Sequence, residues 1–372
     1  MQICFFVPRC TPDNSHGRYV VELAKRLGIE HVLTVYSGAF WPQLRSLVTC
    51  RFLPIPVRPA VLRLASLWVT SAVAMKRRSA DIVHVQGADA PVGNIVTAHF
   101  CNQVMRNTTN HGVGLRRRLN YSIGAVAEKY CMSKSSTIRV IAVSQTLKNE
   151  IEREYGVDPR RVVVIHHGVD AELFHPRNRS QWFALVRSRL GLKTGHFVVL
   201  FVGGEYRRKG LVPLLEAVAR VPGEVKVLAV GVSPDRTLAQ FIRRRGLDNL
   251  VIFLDHTDDV ESYYAAADCF ALPTQYDTFS MATLEAMASG LPVIVSRAAG
   301  VTELLRPGYD CLITEEPEDV DLLSQYLVQL ASDHSLRRRL GAEARKTAEK
   351  HSWDVVAQRT EAVYRQVLAS PQ

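Results

Sequence analysis

Two carboxylates around a helix start mark the most chemically suggestive stretch of the sequence, residues 274–296. Asp277 precedes the segment 278–280, and Glu285 follows about two helical turns later among small residues. The first turn of a helix exposes backbone N–H groups and a positive dipole end, which favour phosphate. A carboxylate further along can accept hydrogen bonds from the vicinal hydroxyls of a sugar. The stretch therefore predicts a nucleoside diphosphate site, or alternatively a buried helix that Asp277 and Glu285 merely cap and solvate.

A second loop suited to phosphate follows the apolar segment 196–202. Its glycines, Gly203 and Gly204, allow the backbone to approach an anion closely, and Arg208 and Lys209 can neutralise the anion. Because the carboxyl ends of parallel strands meet at one edge of a sheet, we expect this loop and the loop of Asp277 to border one cleft. The alternative is a solvated basic loop.

In the first half of the chain, the ends of three predicted strands carry residues that suit ligand binding. Gly17 ends the loop after the first strand, but one glycine gives poor support for the G-x-G-x-x-G site of a nicotinamide dinucleotide. The fourth strand carries His84 and Gln86, and the fifth ends at His99. We predict that His99 faces a cleft at this sheet edge; the alternative, stronger for His84, is a histidine satisfied by a nearby backbone group.

Short β-rich runs alternate with helical patterns throughout the chain, which predicts an α/β protein of right-handed βαβ units with parallel sheets. The predicted strands cover 2–7, 31–36, 48–53, 81–86, 94–99, 137–143, 162–165, 196–202, 225–231, 250–254, 269–272, 291–295 and 311–313. A chain of 372 residues exceeds what one core usually supports, so we expect two domains. We place them at 1–168 and 169–351, followed by a terminal helical segment at 352–372.

The composition narrows the class of protein further. A chain with 47% hydrophobic and 22% charged residues is typical of a soluble globular protein. Seven widely spread cysteines without a C-x-x-C pair indicate reduced thiols and a cytoplasmic location. The uncharged, apolar run 64–75 has about half of the ~20 residues that a membrane span requires, and the opening segment is too short for a signal peptide.

The positive charge is concentrated in the first half of the chain. Residues 1–180 contain 24 Lys and Arg against 12 Asp and Glu, whereas residues 181–372 contain 22 against 24. This excess favours an anionic partner such as nucleic acid, a membrane surface or a phosphorylated acceptor. Nucleic acid is not expected, because no aromatic residues interleave with the basic ones as stacking platforms.

One basic segment, 115–132, repeats apolar residues at helical spacing beside Arg116-Arg117-Arg118 and Lys129. Such a helix can lie on an anionic membrane with its apolar face in contact with the lipid. Alternatively, the apolar stripe faces the protein core and the basic cluster is a solvated helix end.

Five segments resemble, in order and spacing, the C-terminal domain of the retaining, GT-B-fold glycosyltransferases of family 4. They are VLFVGGEYRRKG, YYAAADCFALPT, DTFSMATLEAMASGLPVIVS, GVTELL and SWDVVAQRTEAVY. The Gly-Gly loop is most similar to that of the lipopolysaccharide-core glucosyltransferases, which act in polysaccharide and cell-envelope biosynthesis. The resemblance implies two Rossmann-like, doubly wound domains facing across a cleft, with a C-terminal helix crossing back to the first domain.

The resemblance also implies an activity. The second domain would hold a nucleotide-sugar donor, expected to be a UDP-sugar, and the first would bind a glycan, lipid-linked or small-molecule acceptor. The sugar would be a hexose, transferred with retention of anomeric configuration. The basic first half then fits a cytoplasmic enzyme in peripheral contact with the anionic inner face of the plasma membrane.

Position by position, the resemblance implies a role for each candidate residue. Lys209, Arg208 and the glycines Gly203 and Gly204 would hold the diphosphate, and Glu285 would bind the ribose hydroxyls. The backbone of Phe279, Ser280 and Met281 would hold phosphate or sugar, and Asp277 would approach the transferred sugar. His99 would contact the donor sugar from the opposite domain, and Gly17 matches the glycine of the first loop.

Three positions depart from the family pattern. The family usually has Glu at the position of Asp277, whose carboxylate reaches about 1.5 Å less, roughly one C–C bond. An Arg common at the position of Gly204 is missing, which leaves more of the charge neutralisation to Arg208 and Lys209. At the hinge, where the family usually has Asn, this chain has His167. The first two departures bear on the preference for the donor.

Transfer from a nucleotide sugar requires stabilisation of a leaving diphosphate and of an oxocarbenium-like sugar. Arg208, Lys209 and a helix start can supply this without a metal or cofactor, and we predict a metal-independent reaction. The acidic pair Asp319 and Asp321 is expected at a helix start instead of a metal site. Two rivals remain: a same-fold nucleotide-sugar hydrolase or epimerase, and a basic membrane-binding scaffold without activity.

Overall fold

The computed structural model of the protein describes residues 1–56, 60–76, 80–108, 115–257 and 259–369. The chain divides into two compact units. The first comprises Met1–His167 together with Trp353–Gln372, and the second comprises Gly168–Ser352.

The described part of the first unit contains a parallel sheet of seven strands. They are β1 (Gln2–Phe6), β2 (Val32–Ser37), β3 (Thr49–Phe52), β4 (Ile82–Gln86), β5 (Ile95–Ala98), β6 (Arg139–Ala142) and β7 (Val162–Val164). Their order in the sheet is β3-β2-β1-β4-β5-β6-β7. The helices between them are α1 (Ser15–Leu27), α2 (Ala60–Lys76), α3 (Asn102–Thr108), α4 (Leu115–Ser133) and α5 (Gln145–Tyr155).

The second unit repeats this plan over its described residues with a parallel sheet of six strands. They are β8 (Phe197–Val202), β9 (Val225–Val230), β10 (Val251–Leu254), β11 (Cys269–Leu272), β12 (Val293–Ser296) and β13 (Leu312–Thr314), in the order β10-β9-β8-β11-β12-β13. The helices are α6 (Asn178–Arg189), α7 (Leu211–Val218), α8 (Arg236–Arg245), α9 (Val260–Ala266), α10 (Met281–Ala288), α11 (Val320–Ser332) and α12 (His334–Glu349).

Strand burial explains why the sequence forms these sheets. All residues of β4, β5 and β11 are buried, as expected for parallel strands covered by helices on both faces. In each sheet the direction of chain progression reverses once, between β1 and β4 and between β8 and β11. Such switch points open a crevice at the carboxyl ends of the strands, where α/β sheets bind ligands.

The last helix, α13 (Trp353–Ala369), belongs to the first unit and packs against α1. Its Tyr364 is fully buried and its hydroxyl lies 2.7 Å from Nδ1 of His84, whose Nε2 lies 2.6 Å from the hydroxyl of Thr97. Burial lowers the pKa of His84 to about 3. His84 is therefore a neutral structural residue that links β4 and β5 to α13, satisfied by side chains and not by backbone. The predicted return of the C-terminal helix to the first domain is confirmed.

The predicted α/β class is confirmed, and every predicted strand lies within two residues of an observed one at both ends. The start of α1 was predicted wrongly. We placed Gly17 at the end of the loop after the first strand, but α1 begins at Ser15 because the side chain of Asn14 accepts a hydrogen bond from the backbone N–H of Gly17 (2.8 Å). Gly17 therefore lies in the first helical turn.

The apolar stripe of α4 does not face the core. Leu119, Val126 and Tyr130 are 56%, 72% and 52% exposed, whereas the small residues Ala125 and Ala127 are buried. The core-facing interpretation of this stripe is therefore wrong; the side chains of Leu115 and Arg116 lie outside the described residues. Within the described ranges, none of the helices combines the length and apolarity needed to span a membrane.

Candidate functional site

The loops that follow β8 and β11 are held together at the switch point of the second sheet. The backbone carbonyl of Arg208 accepts hydrogen bonds from the N–H of Gln275 (2.8 Å) and from the hydroxyl of Thr274 (3.0 Å). Gly210 has φ 81°, and a Cβ added there would lie 1.8 Å from the carbonyl oxygen of Pro273. Only glycine permits this approach, so the two loops form one rigid edge.

Lys209 and Asp277 form an ion pair across these loops. Nζ of Lys209 lies 3.1 Å from Oδ2 of Asp277, and their side chains are only 17% and 13% exposed. The stem of Lys209 runs against Gly203, where an added Cβ would lie 2.3 Å from Cδ of the lysine. Gly203 also has φ 151°, a conformation that other residues rarely adopt. The glycine thus fixes the path of Lys209 towards the carboxylate.

The charges in this region are balanced by neighbouring groups. Burial raises the pKa of Asp277, but the cations Lys209 and Arg208 outweigh burial and hold that pKa below its ordinary value. Nε of Arg208 donates to Oε2 of Glu205 (2.7 Å), and its guanidinium also donates to the carbonyl of Tyr276. Both cations predicted to meet a diphosphate therefore have carboxylate partners in the structure. An added Cβ at Gly204 would come no closer than 3.4 Å to the carbonyl oxygen of Gly231, so Gly204 is less tightly enclosed than Gly203.

The start of α10 has an unusual backbone. Ser280 has φ 76° and ψ 75° and is the single non-glycine residue with positive φ among the described residues. Such a conformation costs on the order of 1–3 kcal/mol and is concentrated at functional sites. The Ser280 hydroxyl lies 2.8 Å from that of Thr283 and does not cap the helix. Met281 thus begins the helix beside the loop of Asp277, whose Oδ1 accepts from the N–H of Phe279 (3.3 Å).

Glu285 projects from the second turn of α10 and is 6% exposed. Its Oε2 accepts a hydrogen bond of 2.9 Å from the hydroxyl of Tyr264, which lies on α9. Sequence reasoning missed Tyr264, although it lies within one of the family-like segments. A second carboxylate, Glu261, lies one turn before Tyr264 on α9. Burial raises the pKa of Glu261, and the negative charges of Asp259 and Glu285 raise it further.

In the first unit, His99 lies directly after β5 in a stack of three imidazoles that we call the histidine layer. The ring centroids of His16 and His99 are 4.4 Å apart, and those of His99 and His167 are 5.3 Å apart. Nε2 of His99 lies 2.8 Å from Oε1 of the buried Gln86. Burial first, and then the neighbouring histidines, keep the pKa of His99 well below its ordinary value. His99 is therefore neutral at physiological pH.

Gly17 lies beside this layer in a tightly enclosed position. A Cβ added there would lie 2.4 Å from the carbonyl oxygens of both Arg9 and Thr11. His16 and His167 were not predicted as site residues, although His167 marked a departure from the family pattern. The stack itself could not be read from the sequence, because its members follow three different strands.

The acidic pair considered as a metal-binding candidate lies at a helix start. Asp319 accepts a hydrogen bond of 2.9 Å from the N–H of Leu322 and so caps α11. Asp321, in the first turn, forms an ion pair with Arg220.

Comparison with protein families gives two matches that together cover most of the chain. The family model for Glycosyltransferase Family 4 matches residues 16–173, and the model for Glycosyl transferases group 1 matches residues 196–333. Among curated proteins, an MMP alpha-(1->4)-mannosyltransferase of Mycolicibacterium hassiacum is 32% identical over 236 residues. That alignment covers 62% of this chain and 54% of the relative, so the chain matches about half the length of this curated relative.

Two solved structures share the fold over nearly the whole chain. One is WaaG, a glycosyltransferase involved in lipopolysaccharide biosynthesis, with a TM-score of 0.84, 19% identity, and coverage of 97% of this chain and 99% of WaaG. The other is HepE of Anabaena in complex with UDP and glucose, with a TM-score of 0.77, 20% identity, and coverage of 98% and 99%. At this level of identity the similarity establishes the fold, which is GT-B.

Proposed function

Because the chain belongs to the glycosyltransferases of family 4, we propose that it transfers a hexose from a nucleoside-diphosphate sugar to an acceptor hydroxyl. The observation that carries this proposal is the cluster at the β8 and β11 strand ends. There Lys209 and Asp277 are paired at 3.1 Å in a largely buried setting, at the switch point where such sheets bind ligands. Glu285, on the helix that follows, supplies a buried carboxylate for the ribose hydroxyls.

In this proposal the donor separates the ion pair of Lys209 and Asp277. The diphosphate takes over the ammonium of Lys209, and Asp277 is released to accept hydrogen bonds from the transferred sugar. Arg208 keeps its contact with the Tyr276 carbonyl and adds positive charge beside the phosphates. The backbone at Ser280 and Met281 offers N–H groups at the start of α10 to the phosphate or the sugar. His99 contributes a contact to the same sugar.

We propose a UDP-sugar as the donor, since HepE, which shares the fold, was crystallised with UDP and glucose. A thermal-shift panel of UDP, ADP, GDP and their hexose conjugates tests this choice. UDP and UDP-hexoses are expected to raise the unfolding midpoint most, because ligand binding to the native state stabilises it in proportion to affinity. A larger shift with ADP or GDP would contradict the choice of UDP without affecting the proposal of a nucleotide-sugar enzyme.

We further propose retention of configuration and independence from metal. Lys209, Arg208 and the start of α10 supply the positive charge that stabilises the leaving diphosphate. Activity should therefore persist in EDTA, and the anomeric proton of the product should keep the configuration of the donor in an NMR spectrum. Loss of activity in EDTA with recovery in Mn²⁺ would contradict the metal-independent mechanism.

The transfer activity itself is tested with a labelled donor. Incubation with a radiolabelled UDP-hexose and a lipid-and-glycan extract should move label into the extract, and only slowly into free sugar. Release of free sugar, or a changed sugar, without any acceptor would favour a hydrolase or epimerase. Nucleotide binding without turnover, combined with steeply salt-dependent binding to polyanions, would favour a non-catalytic scaffold.

For the acceptor, we propose a glycan or lipid-linked molecule of the cell envelope, reached from the cytoplasmic side of an anionic membrane. The exposed stripe of α4, formed by Leu119, Val126 and Tyr130, supports this proposal. On the neighbouring α2, Trp68 contacts Tyr130 with ring centroids 5.4 Å apart. Exposed basic residues, Arg117, Arg118 and Lys129, flank the stripe. Apolar side chains beside cations suit the interface of an anionic bilayer.

Co-sedimentation with vesicles tests the membrane contact. The protein should pellet with vesicles containing phosphatidylglycerol and remain in solution with pure phosphatidylcholine. Val126→Glu should weaken this binding, whereas Leu185→Glu should not, although Leu185 is also more than half exposed in the second unit. Equal binding to both kinds of vesicle, or equal effects of the two substitutions, would remove the membrane from the proposal.

A further inference from the structure

Gln86 occupies a position where a polar side chain is unexpected. It is the last residue of β4, it is fully buried, and it pairs in register with Thr97 of β5. Its Oε1 lies 2.8 Å from Nε2 of His99, the residue that follows β5 by one position. β4 is also the strand next to the switch point of the first sheet.

The amide nitrogen of Gln86 gives no reason for a polar side chain at this position. Nε2 of Gln86 is buried and has no hydrogen-bond partner among the described residues. A buried N–H without a partner is destabilising, and a leucine or methionine of similar volume would avoid that penalty. The contact that the amide does make is through its oxygen, whose polar partner among the described residues is the ring of His99.

A hydrogen bond from an imidazole to an amide oxygen fixes where the ring proton lies. With the amide oriented so that Oε1 faces His99, the oxygen can only accept, so Nε2 of His99 donates and carries the proton. A neutral imidazole has a single N–H, which leaves the lone pair on Nδ1. The second proton of an imidazolium is disfavoured by burial and by the neighbouring histidines, which lower the pKa of His99. Its neighbours include His16 and His167, which stack on the ring, Tyr19, which meets its edge, and His84, with Asp89 beyond His16.

We propose that Gln86 is a positioning residue: its amide oxygen holds His99 in the neutral form protonated on Nε2, so that Nδ1 accepts a hydrogen bond from a hydroxyl of the donor sugar. The sugar contact rests on the function proposed above. The assignment of the proton on His99 does not, because it follows from the Gln86 contact alone.

The tautomer is measured directly by ¹⁵N NMR of the full chain labelled at histidine, with His99 assigned by the loss of its signals in His99→Asn. We expect a protonated, pyrrole-like Nε2 and an unprotonated, pyridine-like Nδ1 without any substrate present. In Gln86→Leu, both nitrogens should shift towards the average of the two tautomers. A proton on Nδ1, or on both nitrogens, in the unmodified protein would overturn the proposal even if transfer activity is found.

Kinetics give a second readout that a purely structural role would not move. Gln86→Glu is nearly isosteric, and its carboxylate favours the imidazolium form, so the acidic limb of the kcat–pH profile should move up by about one pH unit or more. Gln86→Leu should lower kcat about 10- to 100-fold while UDP affinity stays within about twofold, since only the sugar contact is disturbed. Thr34→Val serves as the control, because it is a buried polar-to-apolar change in β2, away from Gln86 and His99. It should leave kcat and UDP affinity unchanged. A Gln86→Glu profile that superposes on the parent profile would overturn the proposal.

Discussion

The two candidate regions use their titratable groups in opposite ways. In the second unit, Lys209 forms an ion pair with Asp277, and Arg208 forms one with Glu205. In the first unit, burial keeps His84 and His99 neutral. The difference fits two kinds of ligand chemistry. Cationic side chains that already lie in ion pairs can bind a diphosphate instead, whereas neutral imidazoles are suited to hydrogen bonds with uncharged sugar hydroxyls.

The largest expected effect is the loss of the lysine from the charged region. Lys209→Ala removes the cation proposed to meet the diphosphate and leaves the largely buried Asp277 without its partner. We expect kcat/KM for a nucleotide sugar to fall by about 100-fold or more, or about 3 kcal/mol of transition-state stabilisation. Lys193→Ala is the matched control, because this lysine is 72% exposed and pairs with the exposed Glu224. Equal activity of both variants would show that the paired charges serve folding alone.

The next largest effect is expected from Glu128, a buried carboxyl group in the first unit that should make stability depend on pH. Burial raises the pKa of Glu128 to about 7, and it accepts hydrogen bonds from Tyr155 and from the backbone of Asn102. A raised pKa in the folded state means that its stabilising contribution is complete below about pH 4.5. It is lost as pH rises through about 7, a change on the order of 3 kcal/mol. Glu128→Gln should therefore reduce the fall in stability between pH 4.5 and 7.

Urea titrations at several pH values measure this change. Three of the four tryptophans, Trp41, Trp68 and Trp353, lie in the first unit, so fluorescence mainly reports its unfolding. Glu30→Gln, at an exposed carboxylate, provides the control for the general pH dependence. If Glu128→Gln and the parent lose stability in parallel over this range, Glu128 is not held neutral, and the contrast between the units fails there.

A smaller effect is expected from the other member of the ion pair. Asp277→Asn keeps the shape of the side chain but removes the charge that is proposed to compete with phosphate for Lys209. We expect UDP affinity to rise by about 3- to 10-fold, or about 1 kcal/mol, while sugar transfer falls. Isothermal titration calorimetry with UDP measures the first effect. Weaker UDP binding in this variant would mean that Asp277 supports the diphosphate site instead of competing for it.

Much of the charged region could be predicted from the sequence, because its residues are carried by short motifs at strand ends. The two glycines, Lys209 and Glu285 fall within segments whose spacing fixes their place on βαβ units. The adjacency of the two loops followed from the parallel sheet alone. What the sequence did not reveal was that Lys209 and Asp277 would form an ion pair, or that Tyr264 would donate a hydrogen bond to Glu285.

The neutral region could be predicted only in part. His99 stood out because it ends a strand, but its neighbours His16 and His167 come from distant segments and meet only in the folded unit. Similarly, the period of the apolar residues in α4 identified a helix but not the direction of its stripe. The core is contacted instead by small residues such as Ala125, which contribute little to a hydrophobic pattern. Such outcomes depend on tertiary packing, which periodicity does not encode.

The most direct test of the division between the two regions is nucleotide affinity measured by calorimetry in two single variants. Glu285→Ala, in the charged region, should weaken UDP binding about 10-fold or more, since it removes the buried carboxylate proposed to accept hydrogen bonds from the ribose. His99→Ala, in the histidine layer, should leave UDP affinity within about twofold and slow only sugar transfer. Weak UDP binding in His99→Ala together with unchanged binding in Glu285→Ala would contradict the account.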